Sequence, residues 1–468
     1  MIAVLTPEQM RLADAAAIGM VGDSDGGRFI ARAGHAVAVE ARRMLAGTYG
    51  RRVLVVAGHG HNGDDGRVAA SWLAEWGAHV RVVEPDDCDG MFIDRRSVDL
   101  VVDAAYGIGF RGQWTPPIVF DVPVLAVDLP SGLDAANGGV GGGVLAADTT
   151  VTFAAPKIGM LMGDGPRVCG TIHVVDVGID VDVAEPDVFL VEALDAVAWI
   201  PPRDDSAHKW TSAVRVVAGS PGMGGAAALV GAAAMRAGAG MVHLSWRGGG
   251  DALGASLPTE VVGRHLPAVG WADFVGLDID RFDSLVIGPG LGRGDDVAAE
   301  VREVLARCDV PAVVDGDGIP DAVDPSGTHA TLAARSAPTV LTPHDGEFAI
   351  LGGDVHAVDR VAATRALAAA CGCTVLRKGP TTIVADPEGA CYLVASGDER
   401  LATAGTGDVL AGMIAAFLAR GLAAPEAAAV GAYLHGVAGS MCPREGTIAR
   451  DVVARITDAM EEVLPDVR

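Results

Sequence analysis

The run Arg51-Arg52-Val53-Leu54-Val55-Val56-Ala57 passes directly into Gly58-His59-Gly60-His61-Asn62-Gly63-Asp64-Asp65-Gly66. Its apolar, β-branched part has no alternation, so it reads as a strand buried on both faces, as in parallel sheets covered by helices. The polar, glycine-rich turn behind it then lies at a strand's carboxyl end, where α/β folds place their ligands. Similar runs recur at 79–83, 99–103, 122–128, 149–154 and 171–177, several of them ending in Asp or Gly. That rhythm predicts a Rossmann-like doubly wound sheet.

Ahead of the first strand, Thr6-Pro7-Glu8-Gln9 combines a cap, a first-turn proline and a glutamine three residues after the cap. A helix is expected from there to about residue 19, with a second over 28–45. The rhythm breaks in the proline-marked stretch Trp199-Ile200-Pro201-Pro202-Arg203-Asp204-Asp205, which divides the chain into two α/β domains, 1–203 and 204–468. In the second, strands are expected at 214–218, 285–288, 312–315, 339–342 and 374–376. An antiparallel pair, 381–385 with 390–395, follows around Asp386-Pro387-Glu388-Gly389. The Ala-rich stretch 223–242 reads as one tightly packed helix, too interrupted by Arg236 to cross a membrane, and three helices close the chain.

The 468 residues carry a formal charge of −25 and only three lysines, Lys157, Lys209 and Lys378. Such a balance offers no electrostatic footprint for nucleic acid or anionic membrane. A phosphorylated ligand has to be held by main-chain cradles and a few local cations. Self-association into a homo-oligomer stays open. The start, Met1-Ile2-Ala3-Val4-Leu5-Thr6-Pro7-Glu8, lacks the basic and apolar regions of a cleavable signal. The seven cysteines are scattered, with a lone Cys371-Gly372-Cys373 pair, which argues against zinc and for a reduced, cytoplasmic setting.

Two groups of residues carry chemistry. Ala404-Gly405-Thr406-Gly407-Asp408 opens into the apolar helical run 409–418. Small residues let main-chain N–H groups crowd an anionic oxygen, and the helix start adds roughly half a positive charge. Asp408 is then placed to move a proton at a hydroxyl beside a bound phosphate. The competing reading is a glycine turn with an Asp cap on a core helix. Lys378-Gly379, at a strand end, can bring an ammonium to a phosphate, and no lysine has the spacing of a Walker P-loop.

In the first half, Gly58 to Gly63 match the dinucleotide fingerprint formally, with Glu84 ending the next strand, so a nicotinamide dehydrogenase is one alternative. Against it, Asp64-Asp65-Gly66-Arg67 stands where the fingerprint needs the helix to open. Two further strand ends reach the same edge: Asp103 followed by the Gly107–Gln113 loop, and Asp128-Leu129-Pro130-Ser131-Gly132. Asn62, Asp103 and Ser131 supply hard oxygen ligands suited to a small cation.

On these motifs the first half resembles the epimerase domain of the NAD(P)H-hydrate repair enzymes. The second half, through Ser206-Ala207-His208-Lys209, Ala218-Gly219-Ser220, Arg236-Ala237-Gly238-Ala239-Gly240, Gly288-Pro289-Gly290-Leu291-Gly292, Thr342-Pro343-His344-Asp345-Gly346-Glu347, Arg377-Lys378-Gly379-Pro380-Thr381-Thr382 and the cradle, resembles their ribokinase-like dehydratase domain. The resemblance implies a lyase and isomerase acting on hydrated NADH and NADPH. The first domain interconverts the two configurations at ring carbon 6, and the second removes water from the S hydrate with ADP and magnesium.

It places His61, Asn62, Gly63, Asp64, Asp65, Gly107, Ile108, Gly109, Phe110, Arg111, Gly112, Gln113 and Asp128 on the hydrate in the first domain, with Asp128 as acid/base. Asn62, Asp103 and Ser131 hold a potassium ion. In the second, Ala239, Gly292, His344 and Asp408 face the hydrate, while Lys378, Gly379, Pro380, Thr381, Thr382, Ala404, Gly405, Thr406 and Gly407 bind ADP.

The chain departs from the family pattern at His61 (usually Asn), Asp64 (usually Gly), Trp210 (usually Gly) and the glycines of Asp315-Gly316-Asp317-Gly318. A carboxylate at Asp64 beside a pyrophosphate is expected to weaken epimerisation. A ribokinase-like small-molecule kinase fused to a non-catalytic dinucleotide-binding module shares the cradle and the Asp base, and remains the alternative.

Overall fold

The computed structural model describes residues 1–21, 26–248 and 257–464. Its contacts divide the chain into a first unit, 2–188, and a second, 189–468 together with Met1. The segment 189–203, read above as the end of the first domain, lies in the second unit: Val191, Ala196 and Ile200 belong to its core.

The first unit begins with two helices, α1 (Pro7–Val21) and α2 (Gly27–Met44). The α1 capping box forms as the sequence predicts, Thr6 N donating to Gln9 Oε1 at 3.0 Å and Gln9 N to Thr6 Oγ1 at 3.1 Å. Then come β1 (Arg52–Ala57), α3 (His61–Glu75), β2 (His79–Val83), β3 (Leu100–Ala104), β4 (Val124–Val127), β5 (Thr149–Phe153) and β6 (Thr171–Val175). The strands lie parallel in the order β2-β1-β3-β4-β5-β6. The order reverses at β1, so the loops after β1 and β3 part company there and leave a crevice at the carboxyl edge.

In α3 the expectation fails usefully. The helix opens at His61, capped by Gly60, so Asp64 to Arg67 are helical rather than a polar interval before a helix. The objection to a fingerprint therefore does not hold on geometry. A Cβ on Gly63 would meet Gly58 O at 1.8 Å, the close helix–strand approach that only glycine permits. A short parallel pair, Phe92–Asp94 with Ile118–Phe120, was not anticipated.

The second unit contains β7 (Ala213–Val217), α4 (Gly224–Arg236), β8 (Met241–Arg247), β9 (Val262–Leu266), β10 (Ser284–Ile287), β11 (Ala312–Val314), β12 (Thr339–Leu341), β13 (Thr374–Arg377), β14 (Thr382–Ala385) and β15 (Cys391–Val394). The final helices are α5 (Thr406–Ala419), α6 (Ala424–Ser440) and α7 (Ala449–Val463). The order β15-β14-β13-β12-β11-β10-β7-β8-β9 is parallel from β9 to β13, and β13-β14-β15 are antiparallel.

The Ala-rich stretch is not one helix. α4 stops at Arg236, Gly238 takes φ 102°, and Met241 already starts β8. Local composition favours helix throughout, and the left-handed glycine ends it. Apolar faces of α4, α5, α6 and α7 cover one side of the sheet with Val216, Val286, Val313, Val340 and Leu376, and a separate cluster around Trp271, Leu305 and Phe348 covers the other. No described helix is long and apolar enough to cross a membrane.

Candidate active sites

In the first unit a cavity of about 990 Å³ opens at the β1/β3 edge. Of the expected hydrate-binding residues, His61, Asn62, Asp65, Gly107, Ile108, Gly109, Phe110, Arg111, Gly112, Gln113 and Asp128 line it. Gly63 and Asp64 do not. Gly63 faces the strand, and Asp64 turns outward to Arg67, Oδ1 to Nη1 3.5 Å. The repulsion expected from Asp64 against a pyrophosphate is corrected accordingly: the family-divergent carboxylate lies off the cavity wall.

Asp128 follows β4 with φ 67°, a left-handed conformation that costs a non-glycine residue roughly 1 kcal/mol or more. The residue is held there by Thr152 Oγ1, 3.1 Å from its Oδ1, and by the ammonium of Lys157, which contacts the same oxygen. Lys157 is 1% exposed and also donates to Thr152 Oγ1 at 2.8 Å and Phe153 O at 3.3 Å.

Neither Lys157 nor Asp14 was found from sequence, although both line the cavity. Leu5 N donates to Pro156 O at 3.0 Å, which docks the start of α1 beside Lys157. One signal was available: Lys157, one of three lysines, sits just past a strand end.

The three proposed cation ligands are arranged unevenly. Asp103 is fully buried; it accepts from Ser131 Oγ at 2.6 Å and Ser131 N at 2.8 Å, while Tyr106 N donates to Ser131 Oγ at 2.8 Å. Burial pushes Asp103 up to about 6, against the hydrogen bonds from Ser131. Asn62 has both amide atoms buried without a partner, and its Cβ lies 3.2 Å from where a Cβ on Gly107 would sit. An orphaned carbonyl oxygen beside a satisfied Asp–Ser pair is the donor set a hard monovalent cation suits.

In the second unit the strand ends converge. Asp315, after β11, accepts from Thr342 Oγ1 at 2.6 Å and from Lys378 Nζ at 2.9 Å; Glu347 Oε2 lies 3.9 Å from the same ammonium. Burial pulls the Lys378 ammonium down, and Asp315 and Glu347 more than offset it, so its pKa is raised. A Cβ on Gly407 would stand 3.4 Å from Lys378 Nζ, which puts the ammonium against the cradle.

Gly405 caps α5 at φ 92°, and the helix behind it is almost wholly buried. Asp408 is half-buried in its first turn; burial, then Asp315, push it up to about 7, with Lys378 opposing. This is a carboxyl group poised to exchange a proton near neutrality. Gly292 N donates to Asp317 Oδ2 at 3.0 Å on the same edge. Thr381 Oγ1 is buried without a partner next to Lys378-Gly379-Pro380, and Thr382 starts β14.

Two expected contacts fall out of line. His344 caps the short helix Asp345–Ile350: Glu347 N donates to its Nδ1 at 3.2 Å, and Nε2 lies 3.4 Å from Glu347 Oε1. Its structural task is therefore established, although the ring is exposed at that edge. Ala239 is 3% exposed in the core, at the amino end of β8, opposite the edge that holds Asp315 and Lys378. Its side chain packs a helix end. His435, buried on α6, was missed; burial drives it down to about 4, so the ring is neutral, and its Nε2 has no partner.

Each unit thus carries a carboxylate and a lysine at a glycine-rich turn on the carboxyl edge of a doubly wound sheet, which defines a two-domain α/β enzyme of nucleotide chemistry. Comparison with known proteins agrees. The family described as NAD(P)H-hydrate dehydratase matches residues 214–461, and that described as YjeF-related protein N-terminus matches 27–95 and 87–159.

The bifunctional NAD(P)H-hydrate repair enzyme of Mycobacterium tuberculosis (strain ATCC 25618 / H37Rv) is 40% identical over 435 residues, 86% of this chain and 87% of its own. That of Moorella thermoacetica is 36% identical over 449 residues, 84% of each chain. A crystal structure of the ADP/ATP-dependent NAD(P)H-hydrate dehydratase from Bacillus subtilis, co-crystallised with ATP and Mg2+, matches with TM-score 0.52 and 28% identity over 59% of this chain and 99% of that one. The chain belongs to the bifunctional NAD(P)H-hydrate repair enzymes.

Proposed function

We propose that this chain restores hydrated NADH and NADPH in two steps: the first unit equilibrates the R and S hydrates at ring carbon 6, and the second eliminates water from the S hydrate with ADP. Family membership supports the pairing of activities. The observation that carries the second step is Asp408, held at the Gly405–Gly407 cradle within the field of Lys378 and Asp315.

Elimination removes the carbon 6 hydroxyl and a proton from the neighbouring carbon. Asp408, as carboxylate, takes a proton, a role worth about 10²–10⁴-fold in rate. Lys378 and the first-turn amides of Gly407 and Asp408 on α5 hold nucleotide phosphate, with Gly379, Pro380, Thr381, Thr382, Ala404 and Thr406 around it. Magnesium would neutralise phosphate charge there. Gly292 borders the hydrate, and His344 meets it only through its exposed edge.

In the first unit, Asp128 is the acid/base and the cavity residues hold the hydrate. Asn62, Asp103 and Ser131 are proposed to hold potassium; when bound, the ion would satisfy the Asn62 oxygen and fix the loop after β3. The buried, unbridged cysteines suit a reduced, cytoplasmic compartment. The acidic charge gives no reason to expect nucleic acid or membrane as partner.

The test supplies the S hydrate, ADP and magnesium and follows dihydronicotinamide absorbance. Wild-type protein should restore it, and Asp408→Asn should not. Recovery by the variant at the wild-type rate would remove Asp408 from the reaction. Phosphorylation of a sugar or alcohol by ATP, without hydrate turnover, would favour the kinase alternative.

A further inference from the structure

The cavity of the first unit sets three carboxylates, Asp14, Asp65 and Asp128, against one buried ammonium, Lys157. Only Asp128 takes that ammonium in direct contact. Asp65, 7% exposed at the start of the second turn of α3, pairs with no cation among the described residues. Three like charges crowded about one buried ammonium are not all carried together.

The groups facing Asp65 come from every side. They are Asp64 on its own helix, Asp14 on α1, Asp128 after β4 and Lys157 after β5. Burial first, then these carboxylates, push Asp65 up to about 8, with Lys157 opposing. Asp14 is raised by burial and by Asp128, against Lys157 and His61. Arg11, His59 and Arg111 also line the wall. At neutral pH Asp65 therefore holds a proton, while Asp128 takes the Lys157 ammonium in direct contact, the combination that a proton-in, proton-out reaction uses.

We propose that Asp65 and Asp128 divide the epimerisation between them, Asp65 giving its proton to the departing carbon 6 hydroxyl and Asp128 taking one from the water that returns on the opposite face. The inference rests on the reading of the first unit as a hydrate epimerase. Carbon 6 is bonded to the ring nitrogen, whose lone pair can take over the positive charge.

The Asp65 proton adds to the hydroxyl, and the carbon–oxygen bond breaks with its electron pair leaving on water. The nitrogen lone pair closes a carbon–nitrogen double bond. Water then attacks carbon 6, the double-bond pair returns to nitrogen, and Asp128 accepts the water's proton. Nothing is oxidised or reduced, and one water leaves for each that enters. Asp128 is left as an acid beside the Lys157 ammonium, which drives the proton back through solvent to Asp65.

A rival route opens the ring at carbon 6 and recloses it, keeping the original oxygen. The full-length protein, given one hydrate epimer without ADP in oxygen-18 water, separates the two by mass spectrometry. The expected result is one labelled oxygen in every molecule that changes configuration, after subtraction of the spontaneous rate. Asp65→Asn should slow inversion and label entry together by about 10²–10⁴-fold, and should lose the fall in rate above pH about 8 that the Asp65 proton predicts for wild type. Inversion without label would overturn the proposal and leave the epimerase reading standing. Absence of any inversion above the spontaneous rate would instead remove the epimerase reading. Since the label is read on the unaltered protein, the outcome does not depend on the variant folding.

Discussion

Asp408 and Asp65 are both carboxyls raised toward neutrality by burial among like charges, at about 7 and about 8, yet they serve opposite ends of a proton transfer. If Asp408 acts as carboxylate, dehydration should rise as pH passes upward through about 7. The kcat/KM for the S hydrate, measured against pH with ADP saturating, should show that inflection, and Asp408→Asn should flatten it at a rate lower by about 10²–10⁴-fold.

Lys157 tests the other site. Removing one partner of a buried pair leaves an uncompensated charge, so Lys157→Met should cost about 3–5 kcal/mol in denaturant unfolding of the first unit and abolish epimerisation.

The sequence exposed Asp128 and Asp408 because each sits at a strand or helix end where chain direction alone fixes its place. It misjudged Gly63 and Asp64 because the helix begins at His61. On helical spacing 61, 62 and 65 share a face, while 63 and 64 point elsewhere. Asp14 reaches the cavity through docking of α1, a tertiary contact that no local pattern announces, whereas Lys157 lies just past β5 and is turned inward by Asp128 and Thr152.

At the scale of elements, the cradle depends on how closely α5 can lie to its neighbours. Gly412, on α5, has Val230 O of α4 2.4 Å from where a Cβ would stand, and that atom is main chain, unable to swing aside. Gly412→Ala should therefore push the helices apart and cost about 1–3 kcal/mol, seen as a lower denaturation midpoint. Because α5 carries the cradle at its start, dehydratase activity should fall further than stability alone explains.

Apart from β9 and the pair at 92–94 and 118–120, which are short or largely exposed, strand positions were legible in the sequence because parallel strands buried on both faces are continuous apolar runs. The break between α4 and β8 was not, since alanine-rich composition conceals a left-handed glycine. Ala239 was misplaced for the same reason. A residue that looks like the end of a long helix instead lies in the turn just before β8, at the edge remote from the phosphate loops.

For the molecule as a whole, titration couples function to stability. Asp65 binds its proton more tightly folded, at about 8, than at the ordinary 3.8. Its stabilising share is complete below about 3.8 and is lost as pH climbs through about 8. Asp65→Asn, blind to pH at that site, should match wild type near pH 4 and exceed it at pH 8 by about 1 kcal/mol or more, measured by urea unfolding of the first unit. A stabilising substitution that removes activity is the pattern expected of a strained catalytic group.

The break at 188/189, earlier than the proline-marked stretch suggested, reflects apolar side chains at 191, 196 and 200 that bury in the second unit's core despite the polar residues after them.

The central claim is that two carboxylates, one in each unit, act in series on one damaged cofactor. An equal mixture of R and S hydrates with ADP and magnesium tests it directly, by the total dihydronicotinamide recovered. Wild-type protein should restore the whole mixture, Asp128→Asn should stop once the S hydrate is consumed and creep on at the spontaneous rate, and Asp408→Asn should recover either hydrate only about 10²–10⁴-fold more slowly. Full recovery by Asp128→Asn at the wild-type rate, or recovery by Asp408→Asn at the wild-type rate, would contradict the account.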